Sequence, residues 1–510
     1  MLVSGPALDK VDRESAIYLE LSRFHQRIAL KDPLTWGLKA QAEASVRLNW
    51  VDFPSTSRDL LPELDAIAAK FKSLGNVVLC GMGGSSLAPE VIAHSYQKEI
   101  FILDSTDPHY IAHTLTAPLE STLVIISSKS GSTIETTSLK SLFEKKFTDA
   151  GLKPIDHMVV ITDPGSPLDA SSRSAGYSVI NADPHVGGRF SALSAFGLVP
   201  CALIGIDASV LLDEALDCKN SFLADPEALL DATYVLLTQS DQYIGFTDKG
   251  SKVPGLSYWI EQLVAESTGK EGKGRLPIAA ESINSAAVGP TLTVAFVEGA
   301  DLVVSGELGE HFIFWEWVTA LMGASLGVDP FNQPNVTEAK EQASALLATW
   351  KNVLPPLQCN SEDGDVEIFG DGSTLRAALK NFVVNTDVDG YIAIMAYLDR
   401  QDDVKVMELR SLLSLASQRP VTFGWGPRFL HSTGQFHKGG QPNGSFLQIT
   451  GDADKNFEIP GEEFDFRTLL MAQALGDGLA LSKRKSPLLR LHLRNRSAGI
   501  EALLKVARTL

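Results

Sequence analysis

Residues 121–140 read STLVIISSKSGSTIETTSLK. An uninterrupted apolar run, Leu123 to Ile126, leads into five hydroxyl residues (Ser127, Ser128, Ser130, Ser132, Thr133) set around Lys129 and Gly131, and a helical pattern leads out. A continuous apolar run, unlike an alternating one, suits a strand buried on both faces. Strand, tight loop and helix in that order make the unit of a parallel α/β sheet, whose ligands sit at the carboxyl ends of the strands. Ser132 and Glu135 have capping-box spacing, which predicts a helix start at this point. Free N–H groups and the partial positive charge of a helix N-terminus attract anions. With the hydroxyls and Lys129 added, the set suits a phosphate. Read alone, the loop equally suits a capped helix behind a solvated Ser/Thr turn.

The pattern repeats outward from there. VVLCGM (77–82), IFILDS (100–105), MVVITD (158–163) and YSVINA (177–182) are further apolar runs followed by polar or helical segments. Their spacing predicts βαβ units. The first is followed by GMGGSSLAPEVI (81–92), a second loop rich in glycine and hydroxyls before a helix. After a helical stretch at about 207–241, LTVAFV (292–297), LVVSG (302–306), YIAIMAYL (391–398), FLQIT (446–450) and LLRLHL (488–493) form a second group of strand candidates. The acidic, glycine-containing stretch 355–375 reads as an exposed excursion. The predicted class is α/β: a helical N-terminal segment (1–50), a first lobe (51–225) and a second lobe (226–510), each lobe a mostly parallel sheet flanked by helices.

A chain of 510 residues exceeds what one core usually serves. Its net charge of −18 disfavours non-specific binding to nucleic acid or anionic lipid. The four cysteines are widely spaced without a CxxC pair, and no metal-ligand spacing occurs, so neither metal nor redox motif is expected. The first residues carry no apolar signal core, and the longest apolar stretches are too short to span a bilayer. A cytoplasmic protein is the expectation. A dinucleotide fingerprint would want glycine where Ser86 stands, although Asp104 lies about where a ribose-binding acid would; this alternative leaves SSKSGST unexplained.

The G-G-S loop followed by S-K-S-G-S-T resembles the sugar isomerase (SIS) domain, which binds phosphosugars. GGRFSALS (187–194), EQLVAESTGKEGKG (261–274), FNQPNVTEAK (331–340) and FLHSTGQFHKGG (429–440) narrow the resemblance to the glucose-6-phosphate isomerase family. It is most similar to the isomerase part of the bacterial transaldolase fusions. The resemblance spans roughly residues 45–495 and implies two SIS-type lobes. It also implies a substrate cradle of Gly84, Ser85, Ser128, Lys129, Ser130 and Thr133, with Gln262 on the phosphate side. Glu266 is implied as catalytic base and Arg189 as the cation beside the enediolate. Gln333 and Lys340 are implied as a pair seven apart on one helix, and His431 as the ring-opening group, with His437 six residues on as its rival. The substrates implied are hexose 6-phosphates, with no cofactor. In that family the histidine comes from the neighbouring subunit, so the resemblance implies a homodimer with shared sites. One feature departs from the family: its histidine segment follows the base closely, whereas here Gln333 and Lys340 intervene, and an extra strand–helix stretch lies around 385–418. A non-catalytic phosphosugar-binding protein is the alternative, and Glu266 argues against it.

Overall fold

The computed structural model describes residues 1–351 and 353–510 as a mixed α/β protein. Its described strands form three sheets, mostly parallel and flanked by helices. The first sheet has the spatial order Phe101–Leu103, Asn76–Gly81, Thr122–Ser127, Met158–Thr162, Ser178–Asn181, all parallel. Its strands have the double-faced burial that their unbroken apolar runs predict. Val77, Leu79, Leu123 and Ile125 pack into one apolar cluster, and the alternate residues Val78, Cys80, Val124 and Ile126 into another. Truncating a residue such as Ile125 to alanine should therefore cost about 2–5 kcal/mol.

Where one sheet was predicted beyond residue 226, the chain builds two. The second sheet has the order Leu2–Ser4, Leu302–Ser305, Thr291–Ala295, Tyr243–Thr247, Leu276–Ala279, parallel except for the N-terminal edge strand. Tyr243–Thr247 and Leu276–Ala279 escape sequence reading because they are short and interrupted by Gly245 and Pro277. The third sheet has the order Ser361–Asp363, Val366–Phe369, Leu488–Leu493, Gly444–Gly451, Tyr391–Tyr397, Val421–Trp425. Its first two strands are an antiparallel hairpin inside the stretch predicted to be an exposed excursion. Val366 and Ile368 alternate with Glu367 and are buried, the period of a half-covered strand.

The N-terminal segment and the first two sheets share one apolar core running from Ala7 to Phe331, whereas the third sheet has its own cluster from Val366 to Ala507. Between its strands Val421–Trp425 and Gly444–Gly451 the third sheet extends a 3-10 turn, Arg428–His431, and a short helix, Gly434–Gly439. This excursion reaches the strand ends of the first sheet. Among the described residues, no helix is long and apolar enough to cross a membrane.

Candidate functional site

A cavity of about 380 Å³ opens at the carboxyl ends of the first sheet, and all twelve sequence-predicted site residues line it. Two loops form its floor. After strand Asn76–Gly81, the loop Gly83–Ser85 turns tightly before helix Leu87–Ser95. Gly83 has φ +57°, and a Cβ there would lie 2.8 Å from Gln262 Nε2 and 2.9 Å from the His431 carbonyl. At Gly84 a Cβ would come within 2.0 Å of the Gly188 carbonyl oxygen. Both glycines are needed because three chain segments meet at this point.

The second loop, Ser128–Thr133, precedes helix Ile134–Asp149. Its hydroxyls are joined by long internal bonds: Ser128 Oγ to Thr133 Oγ1 at 3.2 Å, and Ser130 Oγ to Thr133 Oγ1 at 3.4 Å. Lys129 Nζ donates to Asp163 Oδ2 at 2.6 Å and to the Asp183 carbonyl at 3.2 Å. Burial pushes the Lys129 ammonium below its usual pKa and the Asp163 carboxyl above its own, in spite of their pairing. In both groups desolvation outweighs the pairing.

The opposite side is wired more tightly. Helix Leu256–Thr268 is buried almost throughout and presents Gln262 and Glu266, four apart, on one face. Gln262 Nε2 donates to Glu266 Oε2 at 3.2 Å and to the His431 carbonyl at 2.8 Å. Arg189, on the short turn Gly188–Phe190, is buried; its Nη1 lies 3.5 Å from Glu266 Oε1 and 3.0 Å from Gln333 Oε1. Its other nitrogens bond Ser267 Oγ at 2.8 Å, the Asn332 carbonyl at 2.9 Å and the Pro330 carbonyl. Lys270 Nζ also donates to the Asn332 carbonyl, at 2.6 Å, so two cations hold the loop that carries Gln333.

Gln333 and Lys340 both reach the cavity, but not from one helix. The helix is Val336–Trp350, and Gln333 stands in the loop before it. Pro334 explains this, since the residue before a proline is pushed out of the helical region. Asn335 and Gln435 exchange two hydrogen bonds, of 3.0 and 2.8 Å, which join this helix start to the histidine segment.

His431 of the chain itself lines the cavity, where the resemblance implied a histidine from a neighbouring subunit. Its Nε2 lies 3.0 Å from Glu135 Oε1. Burial alone would raise the Glu135 carboxyl, but the charge of His431 and its hydrogen bond outweigh this and hold it below the usual range. Gln473 Nε2 donates to the same Glu135 oxygen at 2.7 Å, and Thr106 Oγ1 donates to Gln473 Oε1 at 2.7 Å. An ionised Glu135 accepts from His431 Nε2 and so orients the ring. His437 lies elsewhere. It is buried, stacked on Tyr391, bonded through Nδ1 to the Tyr391 hydroxyl at 2.9 Å, and pushed down by burial to a pKa of about 3.

Three residues in or directly behind the cavity went unread in the sequence. Glu135 was taken as half of a capping box, but the N-cap is Thr133 and no side-chain cap bond forms there. The Glu135 side chain instead points to a partner 296 positions away, which no local spacing reveals. Arg47, tied to Glu43 Oε1 and the Pro184 carbonyl, and Asp163 line the cavity itself. Asp104, the acid that a dinucleotide site would need, is 1% exposed and accepts from Arg428. It is not presented to a ribose.

Fold and cavity together define an α/β protein with an anion cradle at its strand ends, facing a carboxylate, an arginine and a histidine. Residues 58–271 match the family model described as Phosphoglucose isomerase, so the resemblance read in the sequence holds over that part of the chain. The glucose-6-phosphate isomerase of Campylobacter jejuni subsp. jejuni serotype O:2 is 35% identical over 225 residues, covering 42% of this chain and 55% of that protein. That of Desulfitobacterium hafniense (strain DSM 10664 / DCB-2) is 37% identical over 215 residues, covering 38% and 40%. That of Thermus thermophilus is 33% identical over 242 residues, covering 46% and 58%. The chain thus spans about half the length of the curated relatives it matches. A solved glucose-6-phosphate isomerase from Chlamydia trachomatis D/UW-3/Cx shares the fold with a TM-score of 0.55 and 19% identity, covering 68% of this chain and 88% of that one. Gln333, Lys340 and His431 lie beyond the matched region, and the fold brings them to it.

Proposed function

We propose that this chain is a glucose-6-phosphate isomerase that interconverts glucose 6-phosphate and fructose 6-phosphate through a cis-enediolate. The observation that carries the proposal is the convergence of Glu266, Arg189 and His431 on one cavity whose far end is the Ser/Thr cradle. The cradle hydroxyls and Lys129 bind the phosphate, which does not react. His431, backed by Glu135, exchanges a proton with the ring oxygen, and Lys340 lines the same side. Glu266 then removes the proton from C2 and returns it at C1. One carboxylate can serve both carbons because they are adjacent. Arg189 is fixed by five contacts and faces the negative charge that develops on the enediolate oxygens without having to reorganise. No step calls for a metal or a nicotinamide.

All of these groups come from one chain, which supports a self-contained site. In a homodimer, the assembly implied by the resemblance, each subunit would carry its own. The test is a coupled assay of fructose 6-phosphate conversion by the purified protein, alongside calorimetric titration with a phosphorylated arabinonate and with NAD. Turnover with sugar-phosphate binding is the expected result. Sugar-phosphate binding without turnover would favour a non-catalytic phosphosugar-binding protein, and NAD binding alone would overturn the proposal.

A further inference from the structure

Behind the cavity, where the third sheet meets the first, four charged side chains come together. Glu90 lies on helix Leu87–Ser95, and Asp104 just past strand Phe101–Leu103. Arg400 follows strand Tyr391–Tyr397, and Arg428 opens the turn Arg428–His431. Arg428 Nη1 donates to Asp104 Oδ2 at 2.7 Å, and Nη2 donates to Glu90. Arg400 Nη1 donates to Glu90 Oε1 at 2.9 Å, Nε to the Tyr110 hydroxyl at 2.6 Å and Nη2 to the Ile102 carbonyl at 3.0 Å. Two cations and two anions balance, all of them mostly buried. Such a cluster is poorly screened by salt, and removing one member strands a buried charge.

We propose that Arg428, clamped between Glu90 and Asp104, is the positioning residue that holds His431 in the cavity of its own chain. Two geometric facts argue for this beyond simple attachment of the third sheet. Arg428 and His431 are three apart on a 3-10 turn, where side chains at i and i+3 eclipse, so fixing one fixes the other. The same segment of the first lobe also touches both ends of that turn: Gly83 abuts the His431 backbone, and Glu90, seven residues on, bonds Arg428. The G-G-S loop and its helix thus form a two-point seat for the histidine turn. Gln262 adds a third contact at the His431 carbonyl.

The inference rests on the isomerase reading for its kinetic arm, and wild-type turnover tests that reading separately. The decisive experiment is a double-mutant cycle of Arg428→Met and His431→Ala in the full chain. Arg428→Met should lower kcat from cyclic substrate by about a hundredfold, the cost of misplacing a reacting group by about 1 Å. Its KM should hardly move, because the cradle is untouched. In the His431→Ala background the same substitution should cost about twofold or less, because its target is already gone. Arg428→Lys should restore part of the loss. Equal costs in both backgrounds, or an unchanged kcat in Arg428→Met, would overturn the proposal. If Arg428→Met fails to fold, Asp104→Asn replaces it with the same expectations. Histidine-selective NMR provides a readout independent of turnover: the His431 ring signals should shift in Arg428→Met while those of His437 stay. Unmoved His431 signals would equally overturn it.

Discussion

The two ends of the cavity are built on different terms. At the cradle end, Ser128, Ser130 and Thr133 hold one another through bonds of 3.2–3.4 Å, and Lys129 pairs with an Asp163 carboxyl that burial pushes above its usual range. At the reactive end, Arg189 has five partners, Gln262 bridges Glu266 to the histidine turn, and His431 is backed by Glu135. The difference follows from what each end must do. A cradle for an incoming dianion should keep donors whose present partners are easily replaced. Groups that move protons must already stand in their working geometry, because reorganisation would add to the barrier. Substitutions at the reactive end should therefore act on kcat, and those at the cradle on KM.

The largest effect should come from Glu266→Gln. The amide keeps the shape and loses the basicity, so kcat should fall about a thousandfold, or about 4 kcal/mol. Calorimetry should find substrate affinity changed only modestly. A Glu266→Gln protein retaining most of its turnover would break the comparison at its strongest point. Next comes His431→Ala, expected to lower turnover of the cyclic sugar by several hundredfold. It should slow exchange of the C2 hydrogen of open-chain substrate much less. His437→Phe should do little to either rate, since His437 touches no part of the cavity; a dead His437 variant beside a live His431 variant would reverse the assignment.

The clamp behind the reactive end sharpens the comparison through pH. Burial pushes the Glu90 carboxyl up, but the charges of Arg400 and Arg428 outweigh it and hold the pKa at about 2, against 4.5 ordinarily. A depressed carboxylate pKa stabilises the fold above the ordinary value, and that contribution is lost as pH falls from about 4.5 towards 2. Its size is on the order of 3 kcal/mol. Thermal melts of wild type and Glu90→Gln should differ clearly at pH 7 and converge as the pH drops through that window. A gap independent of pH would mean that Glu90 is not the ionised partner of the two arginines. The smallest effects belong to the cradle. Lys129→Ala and Thr133→Ala should each raise KM roughly tenfold, the loss of about one charge-assisted hydrogen bond, with little change in kcat. A collapse of kcat at constant KM in steady-state kinetics would show that these residues belong to the reactive end instead.

The same division governs what the sequence reveals. Cradle residues are neighbours in the chain, so SSKSGST and GGS display their chemistry at once, and continuous runs such as LVII display the doubly buried strands. Gln262 and Glu266 share one helix face, but read alone they look like ordinary helix residues, and only the resemblance singled them out. The reactive end is a product of folding. Glu135 meets His431 across 296 positions, and Arg428 meets Glu90 across 338. No spacing rule reaches that far, and the local rule at Glu135 pointed to a helix cap. The resemblance placed Gln333 on one helix with Lys340, while Pro334 keeps the residue before it out of the helical region. The third sheet was folded into the second lobe because the short strands of the second sheet, YIGFT and LPIA, lack the long apolar runs that mark the others.

The most direct measurement of the central claim is made on the unmodified protein. Fructose 6-phosphate is incubated with the full chain in deuterium oxide, and product and label are followed by NMR. Proton transfer through a carboxylate that can also exchange with solvent predicts glucose 6-phosphate carrying deuterium at C2, with both product and label abolished in Glu266→Gln. Tight binding of fructose 6-phosphate with neither conversion nor exchange at C1 or C2 would contradict the account.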